Sequence, residues 1–131
     1  MDFVRGNILF GGHSDTLQLG SVAITGIIDF EKTSYGHRVF DIARTLAFLL
    51  VDCKYKTNQQ IRKYFLNAGY NKRGPVKFNN SRLLEPLIDM FLLYDFYKFL
   101  RHNPYEALSQ NEHFSRTRDL LLARGLICTI R

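Results

Sequence analysis

The chain has no apolar run of 18 residues; Leu83–Leu100 comes closest, and Glu85, Asp89, Asp95 and Lys98 interrupt it. That argues against a membrane span and a membrane partner. Cysteine is scarce as well: Cys53 and Cys128 stand alone, with no metal-ligand spacing. In a chain that shows no signal-peptide pattern, such a pair is expected to stay reduced, as in a cytoplasmic protein. His13 and His37 lack a second histidine or cysteine at ligand distance and read as surface residues. The glycines build no phosphate-cradling loop, because Gly11-Gly12 and Gly69 to Gly74 fit neither known spacing. There is no internal repeat and no low-complexity stretch.

What is present is apolar material. Hydrophobic residues make up 46% of the 131 and aromatic ones 14%, enough for a core and too much for a disordered chain. The length reads as one domain. A formal charge of +6 permits anionic ligands. The Lys and Arg residues alternate with apolar positions along the second half, so we read them as solvated helix faces and not as a nucleic-acid surface.

Asn7–Phe10 and Val22–Ile28 read as two short strands joined by a Gly- and Ser-containing tip. Apolar spacing then predicts a helix over Val39–Val51. A second helix, capped by Thr57, carries Ile61, Tyr64, Phe65 and Ala68 and is expected to stop at Gly69. Asn71–Asn80 reads as a loop. Ser81 is expected to cap a long helix from Arg82 to about His102, with Pro86 tolerated in its first turn. On that helix Met90, Phe91, Tyr94, Tyr97 and Phe99 read as a core stripe. A short helix follows Pro104, and a last one, about His113–Arg124, ends at Gly125 in a left-handed cap. His102 and His113, near helix ends, are read as caps for backbone carbonyls.

The chemistry-bearing residues gather early. Asp2 is followed five positions later by Asn7, the spacing at which a kinase catalytic loop sets a proton acceptor and a magnesium ligand. Asp29 closes the apolar run Ile27-Ile28. Antiparallel pairing of the two strands brings Asn7, at the start of one, beside Asp29, at the end of the other. Asp2, Asn7 and Asp29 therefore converge on one edge.

These pieces, with Asn7-Ile8-Leu9-Phe10, Gly26-Ile27-Ile28-Asp29-Phe30-Glu31, Tyr35-Gly36 and Phe40-Asp41-Ile42-Ala43, resemble the aminoglycoside phosphotransferase family, whose relatives include choline and homoserine kinases. The resemblance is firm over residues 2–50 and general beyond. It implies an α+β fold: the catalytic-lobe portion of a protein-kinase-like domain, with an N-terminal β-hairpin followed by a mainly helical bundle. It further implies Asp2 as catalytic base, Asn7 and Asp29 as magnesium ligands, and Asp41 as a structural acid bracing the catalytic loop. Two departures stand out. Met1 occupies the place of the family's glycine with no histidine before it, and the hairpin tip Gly11–Val22 is long, which costs little in loop entropy. Glu31, next to Lys32, and Asp95, which Lys98 or Arg101 of its own helix can pair, are the candidate substrate contacts.

The implied activity is ATP- and magnesium-dependent phosphorylation of a small-molecule hydroxyl on an aminoglycoside-, choline- or homoserine-like acceptor. We expect residues 1–131 to form a single partial domain, with the metal-site hairpin in 1–37 and a helical subdomain in 38–131. The glycine-rich cover and phosphate-binding lysine belong to an amino-terminal lobe that this chain lacks. The expectation is thus an inactive isolated chain: a fragment, half of a split enzyme, or a relic serving as a non-catalytic interaction module. Its expected partners are the missing lobe or a second copy, meeting it through an exposed lobe interface.

Overall fold

Antiparallel pairing of two short strands and the packing of helices about one central helix organise the molecule, an α+β arrangement dominated by helix. The computed structural model describes residues 7–11, 23–29, 36–73, 78 and 82–129. Strand β1 (Ile8–Gly11) pairs with β2 (Ala23–Ile27). Ile8 faces Ile27 and Leu9 faces Gly26, but Phe10 faces Ile24, so Thr25 bulges out of the ladder. The bulge explains Gly11: a Cβ there would lie 2.5 Å from the Thr25 methyl. Leu9, Ile24 and Ile27 remain exposed on the hairpin.

Helix α1 (Val39–Asp52) is the hub. Its N-terminus is capped by His37, whose Nδ1 accepts the Val39 N–H at 3.2 Å. Val39, Ile42, Ala43, Leu46, Ala47 and Val51 are all buried, a wide stripe at helical spacing. They pack chiefly on α4 (Leu84–His102), through Leu84, Ile88 and Leu92. Helix α6 (Glu112–Ala123) closes the bundle with Leu121. Asn111 caps it, Oδ1 accepting from Phe114 N–H at 2.9 Å, one turn element that the sequence reading did not single out. The C-terminus of α6 follows expectation. Gly125 adopts φ +67°, Gly125 N–H bonds the Leu122 carbonyl and Leu126 N–H the Leu121 carbonyl, each at 3.0 Å. A short α5 (Tyr105–Leu108) starts after Pro104.

Three expectations need correction. The second helix does not stop at Gly69. After α2 (Asn58–Arg62), entered through a Thr57–Gln60 capping box, the chain widens into a π-helical segment, Lys63–Tyr70, and continues as α3 (Asn71–Arg73). The expected loop Asn71–Asn80 therefore begins as helix. Asn71 clamps Phe78 from both sides, donating to its carbonyl at 3.2 Å and accepting its N–H at 2.7 Å. Second, α4 begins at Leu84 with Leu83 at the cap position; the expected cap Ser81 lies outside the described residues. Third, the aromatic row on α4 is no core stripe, because Met90, Tyr94 and Tyr97 are about half exposed while Leu84, Ile88 and Leu92 face the core. Among the described residues, no helix is long and apolar enough to cross a membrane.

Candidate functional site

The two ends of the hairpin meet. Asn7 sits immediately before β1, and its carbonyl accepts the Ile28 N–H at 2.9 Å. That bond extends the ladder by one rung and carries the chain to Asp29, which adopts φ +64°. An L-residue other than Gly enters this left-handed region at a cost of roughly 1–2 kcal/mol, with Asp and Asn among the most tolerant. The side chains then touch: Asn7 Nδ2 donates to Asp29 Oδ2 at 3.3 Å. Both residues thus present oxygen at an accessible edge, an amide carbonyl and a carboxylate. Hard oxygen donors of this kind suit magnesium, which takes one or two carboxylates and completes its shell with water and phosphate. Among the described residues, no cluster of three His, Cys, Asp or Glu side chains gathers at metal distance.

Asp2 and Glu31 lie outside the described residues. Asp41 stands in the first turn of α1, where the helix dipole favours a carboxylate. It lines an apolar cavity of about 610 Å³ together with Ile8 of β1, Thr45, Phe48 and Asp52 of α1, and Phe65 of the π segment. The catalytic-loop residues that it would brace, 2–6, are outside the description.

Asp95 is paired, though not within its own helix. Arg44 Nη1 of α1 lies 2.6 Å from Asp95 Oδ2, with both side chains about one-fifth exposed. The same guanidinium lies over the Phe91 ring, 5.4 Å from its centre. Arg44 and Asp95 form one wall of a cavity of about 330 Å³, bounded also by Lys98, His102 and His113. His113 is not a carbonyl cap. Its Nδ1 lies 3.0 Å from Asp52 Oδ1, and its ring packs against Phe48 and Phe99. Sequence reasoning missed Arg44 and Asp52, because their partners lie 51 and 61 positions away and leave no local spacing signal.

A second ionic group ties the far end of the bundle. Glu85 accepts two bonds from Arg62, at 2.6 and 3.0 Å, and one from Arg124, which also holds Asp89. Partial burial opposes ionisation of Glu85, but the hydrogen bonds and charge of Arg62 and Arg124 outweigh it and hold the carboxyl below its ordinary value.

The sequence pattern of the phosphotransferase enzyme family matches residues 1–68, which take in the hairpin, α1, α2 and most of the π segment. No curated protein and no solved structure matches the chain.

Proposed function

The chain belongs to the phosphotransferase enzyme family, and we propose that it is the metal-holding portion of a kinase-like catalytic lobe. On this reading the parent reaction moves the γ-phosphoryl group of ATP to a hydroxyl of a small molecule, with an aminoglycoside-, choline- or homoserine-like acceptor. The observation that carries the reading is the Asn7–Asp29 pair at the end of the hairpin.

Asn7 Oδ1 and the Asp29 carboxylate would hold magnesium, and Asp2 would accept the proton of the attacking hydroxyl. Magnesium, when bound, neutralises charge on the phosphate oxygens. Asn7 contributes orientation besides oxygen, because its amide nitrogen engages Asp29 and fixes the carboxylate against the hairpin. Asp41 would brace the catalytic loop. Glu31 and Asp95 are the residues offered to the acceptor; an amine reaching Asp95 would compete with the Arg44 guanidinium. Nothing in the 131 residues supplies a glycine-rich cover or its phosphate lysine, so ATP would be held weakly and turnover by this chain alone is expected to be absent. The partial domain would divide into the hairpin, 1–37, and the helical part, 38–131. Free Cys53 and Cys128 are compatible with the cytoplasm.

A non-catalytic interaction module is the second reading, favoured by the open apolar side of α4. Calorimetric titration with magnesium-ATP separates the two. Saturable binding that disappears in Asp29→Ala supports the phosphotransferase reading; no heat in either protein sinks it in favour of the module.

A further inference from the structure

We propose that the outer side of α4 is the contact face of a symmetric dimer of this chain, with two copies of the helix packed antiparallel.

The face is unusual for a solvent-facing surface. At about 100° per residue, Leu83, Met90, Leu93, Tyr94, Tyr97 and Leu100 fall within an arc of about 120°. All six are exposed, Leu83 at 61%, Tyr94 at 55% and Tyr97 at 53%. The opposite side of the same helix, Leu84, Ile88 and Leu92, is fully buried. A helix that is apolar all round is a helix covered all round. Here one side is covered by α1 and α6, and the other forms a continuous apolar strip about 26 Å long, at 1.5 Å per residue.

The charge pattern selects the occupant. Between Leu83 and Leu100 the arc carries no charge. Arg82 and Arg101 stand at its two ends and on opposite edges, about 100° apart around the helix. In a two-fold antiparallel pairing each edge meets the same edge of the other copy, reversed. Arg101 then comes beside the partner's Leu83 and Arg82 beside the partner's Leu100, so no like charges meet. The same register sets Tyr97 over the partner's Pro86, a large ring against a small one, and Tyr94 beside the partner's Met90. Leu93 lies near the axis and meets its own counterpart. Antiparallel helix dipoles add a favourable term.

An anionic membrane fits less well. Interfacial helices flank their apolar side with a face rich in Lys and Arg. The polar positions of α4 are instead Glu85, Asp89 and Asp95, each bound by an arginine of another element. Lys98 folds back over the Tyr94 ring, 5.6 Å from its centre. Pairing along the whole strip would bury on the order of 1,200 Å² in total, the low end of specific interfaces, and affinity at that size is expected near the micromolar range.

Sedimentation velocity from about 1 to 200 µM tests the proposal. The wild-type chain should pass reversibly from monomer to dimer. Met90→Glu and Tyr97→Glu should each weaken association at least tenfold with the helical circular-dichroism spectrum unchanged, while Tyr105→Glu, on α5, should not. Leu93→Cys in a Cys53→Ser, Cys128→Ser background should give a covalent dimer on mild oxidation. A wild-type monomer throughout the range overturns the proposal, as does a dimer indifferent to both glutamates. So does a monomer that binds phosphatidylserine-containing vesicles through Tyr97.

Discussion

Asn7 and Asp29, 22 positions apart, are joined twice over. The Asn7 amide donates to the Asp29 carboxylate at 3.3 Å, and the Asn7 backbone carbonyl takes the N–H of the residue just before Asp29. The hairpin thus sets the backbone of both residues, and the side-chain bond sets the rotation of the carboxylate. The positive φ of Asp29 turns the chain out of the strand at that point.

Charge and backbone at position 29 should separate by substitution. Asp29→Asn keeps a residue that tolerates the left-handed region and removes the charge; magnesium affinity should fall at least tenfold with the hairpin intact. Asp29→Val adds backbone strain of about 1–2 kcal/mol. Magnesium titration followed by amide NMR reads both effects, and an unchanged response in Asp29→Asn would remove Asp29 from the metal site.

The Arg44–Asp95 pair spans the main helix contact and is mostly shielded from solvent. Arg44→Ala leaves a partly buried carboxylate without its guanidinium and should cost about 1–3 kcal/mol. Removing both partners should cost less than the sum of the two single changes. Urea denaturation of the four proteins in the cycle gives the coupling; strict additivity would show that the pair contributes nothing.

Glu85 gives the fold an acid-side dependence. Its folded pKa is depressed, so the unfolded chain binds its proton more readily. The stability it contributes is fully present above the unfolded value, about 4.3, and is lost as pH falls through the lower folded value. Thermal melts between pH 7 and 3 should show a shallower loss below about pH 4.5 in Glu85→Gln than in wild type. Parallel curves would mean that the two arginines do not act through this carboxylate.

In the core, Ile88 is fully buried between α4 and α1. Ile88→Ala should destabilise by about 2–5 kcal/mol, seen as a lower urea midpoint with unchanged slope. A loss below about 1 kcal/mol would mean that the α1–α4 contact is not the centre of the fold.

Several features were legible from local chemistry. The approach of Asn7 to Asp29 follows from antiparallel pairing of two short apolar runs, and Gly125 announces the left-handed turn that ends α6. Thr57, followed three positions later by Gln60, announces the capping box. The rest depended on contacts that sequence does not order. Periodicity could not tell which side of α4 faces inward, because that helix is apolar all round and only the position of α1 decides. Gly69 looked like a stop. Its reason is close approach instead: a Cβ would stand 3.1 Å from the Tyr64 carbonyl oxygen inside the π segment. The ionic partners of Arg44 and His113 come from remote helices, beyond any spacing rule.

The π-helical segment makes residue count between Arg62 and Asn71 matter more than residue identity. The wider winding takes up residues that an α-helix of the same length along its axis would not accommodate. Loss of a single residue, at Ala68 for instance, would let the segment tighten and turn everything after it by roughly 100°. Asn71 would swing away from Phe78, and the two-bond clamp that holds that ring in the core would open. This stretch should therefore accept many substitutions and resist deletions, the reverse of what an ordinary surface helix end tolerates.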